Sequence, residues 1–149
     1  MTELDTAWQG ALAAEHEAVF AYGLLGPRLT STELAVACAD AHETLRDATT
    51  EAIASAGLVP VPPASDYPQL YPVPDADAAR TLAVRVEDNC ATTWRYLYLV
   101  AASTSGVDAR RLRSTAQDAL TASAVRAVRW RMQLTPKDAT RPFPGTTGG

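Results

Sequence analysis

The sequence predicts an all-α protein, four helices packed as two antiparallel hairpins with one long Pro-rich crossover between the second and third. Three observations lead there. Four long segments repeat their apolar residues at intervals that alternate four and three, as bundle helices do. Glycine and proline separate those segments, and the connections run short, long, short.

The first helix is expected over residues 5–25, beginning near Asp5, with Trp8, Leu12, Glu15, Val19 and Tyr22 on its inward stripe. Gly26-Pro27 should stop it, glycine taking a left-handed cap and proline being unable to continue. The second is expected over residues 31–56. Thr30 and Glu33 there have the spacing of a capping box, and Gly57 supplies the stop. Its seam reads Leu34, Cys38, Ala41, Leu45, Ala48 and Ala52, with His42 one step off it.

The crossover carries Pro60, Pro62, Pro63, Pro68, Pro72 and Pro74, a density that excludes helix and favours an extended path. At ~3.1 Å per residue, about 18 residues reach ~55 Å, whereas a helix of ~25 residues is only ~37 Å long. The segment can therefore cross the whole bundle. The third helix is expected over residues 75–104, starting at Asp75 or Asp77, with Ala79, Ala83, Val86, Cys90, Thr93, Leu97 and Val100 inward and Glu87 beside them. The fourth is expected over residues 108–134 with Asp108 as its N-cap. Leu112, Ala116, Ala119, Ser123, Ala127, Trp130 and Leu134 form its stripe and Arg126 its border. The tail, 135–149, should be irregular, with Pro142-Phe143-Pro144 docking and the last four residues disordered.

At 149 residues and 47% apolar content, one domain spanning 1–149 is expected. No apolar run reaches the roughly 18 residues of a membrane span and no signal-peptide pattern opens the chain, so it reads as soluble and cytoplasmic, with no membrane partner. Cys38 and Cys90, both at stripe positions, suit reduced core thiols. Residues 1–56 hold nine acids and two arginines, a balance of −7, while residues 106–149 hold eight bases and three acids, +5. Arg110, Arg111, Arg113, Arg129 and Arg131 would suit a polyanion, but the total charge is −4 and no nucleic-acid motif accompanies them. Charge complementarity within the bundle or between subunits is the reading preferred over nucleic acid.

Several segments together carry a family resemblance. They are Ala13-Ala14-Glu15-His16-Glu17-Ala18-Val19-Phe20-Ala21-Tyr22-Gly23, Ala41-His42 followed by Arg46-Asp47, Leu82-Ala83-Val84-Arg85-Val86-Glu87 and Pro142-Phe143-Pro144-Gly145. The chain resembles, over residues 5–145, an alanine-rich, ferritin-like domain family of unknown function, distantly similar to ferritin-like di-iron carboxylate proteins. That resemblance implies a ferritin-like four-helix bundle and no assigned activity.

A di-iron centre in such a bundle draws a Glu from each of two helices and a Glu-x-x-His from each of the other two. Glu15 and Glu87 match the single glutamates. Three residues before His42 stands Ala39, and no Glu, Asp or His lies between Asp118 and Asp138 in the fourth helix. Four carboxylates cannot be assembled, so neither a di-iron centre nor any cofactor or metal ligand set is expected. The alternative for Glu15, His42, Glu87 and Arg126 is a buried polar network in which Glu15 or Glu87 pairs with Arg126 or His42, the arginine standing in for a cation. Tyr22, Trp94 and Trp130 read as core filling, Tyr96 and Tyr98 as a dimer face or a seat for the crossover, and Glu17, Glu43 and Asp47 as a solvated face.

No catalytic nucleophile or acid–base pair is nominated. The function expected is therefore non-enzymatic, acting by protein association with a metal-free polar core, the partner being a second copy. The competing reading is a degenerate oxidase or other small-ligand or metal-binding protein. It would use Glu15, His42 and Glu87 in a cavity left by Ala119, Ala122 and Ser123.

Overall fold

The computed structural model describes residues 1–146 and contains four long helices: α1 (Glu3–Leu25), α2 (Glu33–Ser55), α3 (Ala76–Ala102) and α4 (Val107–Leu134). Among the described residues there is no strand, and no helix is long and apolar enough to cross a membrane. Side-chain pairs fix the directions. Asp88 meets Arg131 while Arg80 meets Gln133, and Glu15 meets Trp94 while Tyr22 meets Glu87, so α3 runs antiparallel to both α4 and α1. α1 packs on α2 and α3, and α3 packs on α4.

Small residues set the spacing of the middle pair. Ala11, Ala14, Ala18 and Ala21 of α1 and Ala79, Ala83 and Cys90 of α3 are buried, and the Cys90 thiol lies 3.7 Å from the Ala14 carbonyl oxygen to which it donates. Alanine lets backbones approach where leucine would hold them apart. The largest fully buried side chains, among them Trp94, Trp130, Leu12, Leu25, Ile53 and Leu97, fill the space that remains.

The helix ends differ from the sequence expectation in four places. α1 starts at Glu3 because Thr2 and Asp5 form a reciprocal capping box, which the reading from Asp5 missed. Gly26 takes right-handed torsions (φ −52°, ψ −49°) and passes the chain into a 3-10 turn, Gly26–Arg28, so proline geometry ends α1 rather than a left-handed glycine. The proposed Thr30–Glu33 box is absent. The N-cap of α2 is Thr32, whose side chain makes no capping bond and which is exposed to water. α4 is capped by Gly106, and Asp108 instead sits in the first turn, where its charge still favours the positive helix end. α3 does start from Asp75, whose carboxylate accepts from the Ala78 amide at 2.8 Å. α2 closes as expected at Gly57. With φ +81° it lets its own amide reach Ala54 and that of Leu58 reach Ile53, a Schellman end.

Burial also rotates the expected stripe of α2. Ala35, Cys38, His42, Thr49 and Ile53 are buried while Ala48 and Ala52 are exposed, so His42 lies on the seam and not beside it. In α3 the inward position is Trp94 and not Thr93, and Leu134 at the end of α4 is only half-buried.

The crossover is stitched along α1. The Gln9 side chain donates to the Val59 carbonyl (2.8 Å) and accepts from the Val61 amide (2.8 Å), while His16 bonds the Val61 carbonyl at 3.0 Å. Phe20 packs against Tyr67 and Tyr71, and Arg85 reaches Gln69 from α3. Tyr96 instead donates to the Glu3 carboxylate of α1 at 3.2 Å. In the tail, Phe143 is 73% exposed and takes no part in the expected docking of the Pro-Phe-Pro segment, which touches the helices only at its Pro144-Gly145 end, while Ala139 is the buried tail residue. Thr146 is held by a bond to the Phe143 carbonyl; the remaining three residues expected to be disordered lie outside the described residues.

Candidate functional site

Glu15, His42 and Glu87 are fully buried, each supplied by the middle of a different helix, and they form a row with His42 at its centre. The imidazole Nδ1 lies 2.6 Å from Glu15 Oε2 and Nε2 lies 2.8 Å from Glu87 Oε1. A neutral imidazole has only one N–H, so donating to two ionised carboxylates takes the doubly protonated cation. Burial by itself opposes that charge, but the hydrogen bonds to Glu15 and Glu87 and their negative charges outweigh it and push His42 up to about 9.

The row continues outward from Glu87. Arg126, whose side chain is 13% exposed, directs Nε at both Glu87 oxygens (3.1 Å each) and Nη2 at the Ser123 hydroxyl (3.1 Å). This is a bifurcated contact through one nitrogen and not a parallel two-nitrogen fork. Burial of Glu87 acts to raise its pKa, yet His42, Arg126 and the Tyr22 hydroxyl together hold it below the ordinary carboxylate range. Two carboxylates, one imidazolium and one guanidinium sum to zero charge.

Three aromatic side chains complete the network. Trp94 donates its indole N–H to Glu15 Oε1 at 2.7 Å, Tyr22 donates to Glu87 Oε1 at 2.7 Å, and Trp130 donates to the Tyr22 oxygen at 2.9 Å. The sequence reading assigned these three to core filling, and they are that and more. Their signal was available: tyrosine and tryptophan at buried stripe positions need partners for their polar tips. Among the described residues no buried side-chain nitrogen or oxygen lacks a hydrogen-bond partner.

A family described as a domain of unknown function, DUF4439, matches residues 7–148. The chain belongs to this family. The crystal structure of a conserved hypothetical protein from Mycobacterium tuberculosis is similar to it, with a TM-score of 0.79 and 30% identity over 90% of this chain and 99% of that one. No curated protein matches.

In this DUF4439 chain the donor set can be tested against a metal ion. Atoms of Glu15, His42 and Cys90 lie within 4.8 Å of one another, the one group of potential ligands among the described residues. Metal ligands must be deprotonated. Burial, the first of several influences, pushes the Cys90 thiol well up, and each His42 nitrogen already bonds a carboxylate. With Arg126 also fixed on Glu87, a divalent ion would have to expel two protons and a guanidinium. The residues present do not fit a metal centre.

The other sequence candidates separate from this row. Glu43 and Asp47 are exposed, and Asp47 pairs only with its neighbour Arg46. His16 serves the crossover. Ala122 is exposed, so it lines no internal cavity, and the Ser123 hydroxyl is occupied by the Arg126 guanidinium. The opposite charges of the two hairpins meet less than expected. Among the described residues His42–Glu87 is the only ion pair joining them, and Arg131 pairs with Asp88 inside its own hairpin.

Proposed function

We propose that this chain is a single ferritin-like domain whose centre serves structure, with a charge-balanced network in place of a metal, and that it acts by association with a second copy. The observation that carries this reading is the double use of His42, which spends both ring nitrogens on Glu15 and Glu87. In ferritin-like terms the two single glutamates are kept, while Ala39, Ser123 and Arg126 stand where ligands are needed. Arg126 takes the part of the missing cation. Free, buried Cys38 and Cys90 suit a reducing, cytoplasmic setting.

Association draws support from Tyr96 and Leu99, one turn apart on α3 and 49% and 44% exposed. Iron, manganese and zinc titrations of the purified protein, with elemental analysis, test the core. No stoichiometric binding is expected. One ion per chain, lost in Glu15→Gln, would favour the degenerate-oxidase alternative. Light scattering tests the second element, which predicts a dimer that Leu99→Glu returns to monomer; a monomer at every concentration contradicts it.

A further inference from the structure

A groove of about 430 Å³ lies on the face of α4 turned away from the network. Its apolar lining comes from Leu120, Ala124, Val125 and Val128 of α4, Tyr98 of α3 and Pro144 of the tail. Those α4 positions form a second apolar stripe, roughly a third of a turn around from the core stripe. Gln117 marks one end and Arg131 the other; 131 − 117 is 14 residues, about 21 Å of helix. The groove is long, apolar along its floor and polar at both ends.

The tail builds one wall, and glycine fixes it there. Gly145 has φ +78° and lies so close to α3 that an added Cβ would come within 2.7 Å of the Ala91 carbonyl oxygen. Ala91 is one turn from Asp88, so the tail crosses the groove near its Arg131 end, bringing Arg141 to the wall.

Charge selects the occupant. Arg131 is balanced by Asp88. Arg141 donates to the carbonyls of Asp138 and Thr140 and belongs to no ion pair among the described residues. The lining thus carries one uncompensated positive charge above an apolar floor. We propose that this groove binds a linear amphiphilic anion, a free long-chain carboxylate, with its acyl chain along Leu120, Ala124 and Val128 and its head on Arg141. The volume lies within the range of small-ligand sites, roughly 300–1,000 Å³, and a guanidinium is the side chain best shaped for a carboxylate.

Calorimetric titration with dodecanoate below its micelle concentration is the test, run beside dodecanol and beside anionic phosphatidylglycerol vesicles. Saturable one-to-one binding of dodecanoate is expected, weakened about tenfold in Arg141→Gln and about tenfold for dodecanol, since both remove the charged contact. Gly145→Ala should weaken it as well by lifting the tail from α3, with helix content unchanged by circular dichroism. No saturable binding, equal affinity in wild type and Arg141→Gln, or heat from the vesicles alone would each overturn the proposal.

Discussion

His42 is the residue on which the centre of the bundle depends. Replacing it with glutamine leaves Glu15 buried without a cationic partner, while Glu87 keeps Arg126, and removing one partner of a buried pair costs roughly 3–5 kcal/mol. Urea unfolding of His42→Gln should show a loss of that order. The same residue sets the pH response. Its folded pKa is raised from 6.5 to about 9, so its contribution is complete below pH 6.5 and is lost as pH rises through 9. A shift of that size corresponds to about 3 kcal/mol. Glu87 is shifted down, so its contribution is present above its ordinary value of 4.5 and is lost as pH falls below that. Unfolding free energy should therefore be greatest between 4.5 and 6.5 and fall on both sides, and His42→Gln should flatten the alkaline limb.

At the scale of elements, helix existence was legible and helix ends were less so. Period and punctuation located α1 to α4, because bundle helices must bury one stripe and because Gly57 and the crossover prolines leave few alternatives. Caps failed at α2 and α4, where Thr32 and Gly106 take the N-cap place without any side-chain bond. Thr30 and Asp108 look like N-caps in the sequence, and only backbone torsions decide whether a side chain can reach an orphan amide. The α2 stripe was misread by one position, since alanines fit either a core or a surface and cannot report which face is buried. That error displaced His42 from the seam. The glycine assignment at Gly57 yields a direct check: Gly57→Ala forces a Cβ into left-handed torsions and should cost about 1 kcal/mol by thermal or urea unfolding, without altering helix content.

For the whole molecule, the bringing together of Glu15, His42, Glu87 and Arg126 could be anticipated from their mid-helix depth. The order within the row could not. That His42 bridges two carboxylates, and that Trp94 and Tyr22 close their remaining acceptor sites, depends on rotamers and on the close approach of α1 and α3, which alanine content permits but does not specify. A network of this kind makes a particular energetic claim. Because desolvation offsets so much of the attraction, replacing Glu15, His42, Glu87 and Arg126 together by apolar residues of matched volume should cost much less than the sum of the four single changes, the remaining cost being the Trp94 indole and Tyr22 hydroxyl left without their carboxylate acceptors. Guanidinium unfolding of the quadruple variant against the single variants measures that non-additivity.

The most direct test of a metal-free, charge-balanced centre is nitrogen NMR of the His42 ring at neutral pH, before and after addition of iron(II) or zinc. The account predicts that both ring nitrogens carry protons and that neither resonance moves with metal. A neutral ring with one bare nitrogen, shifted by the added ion, would contradict it.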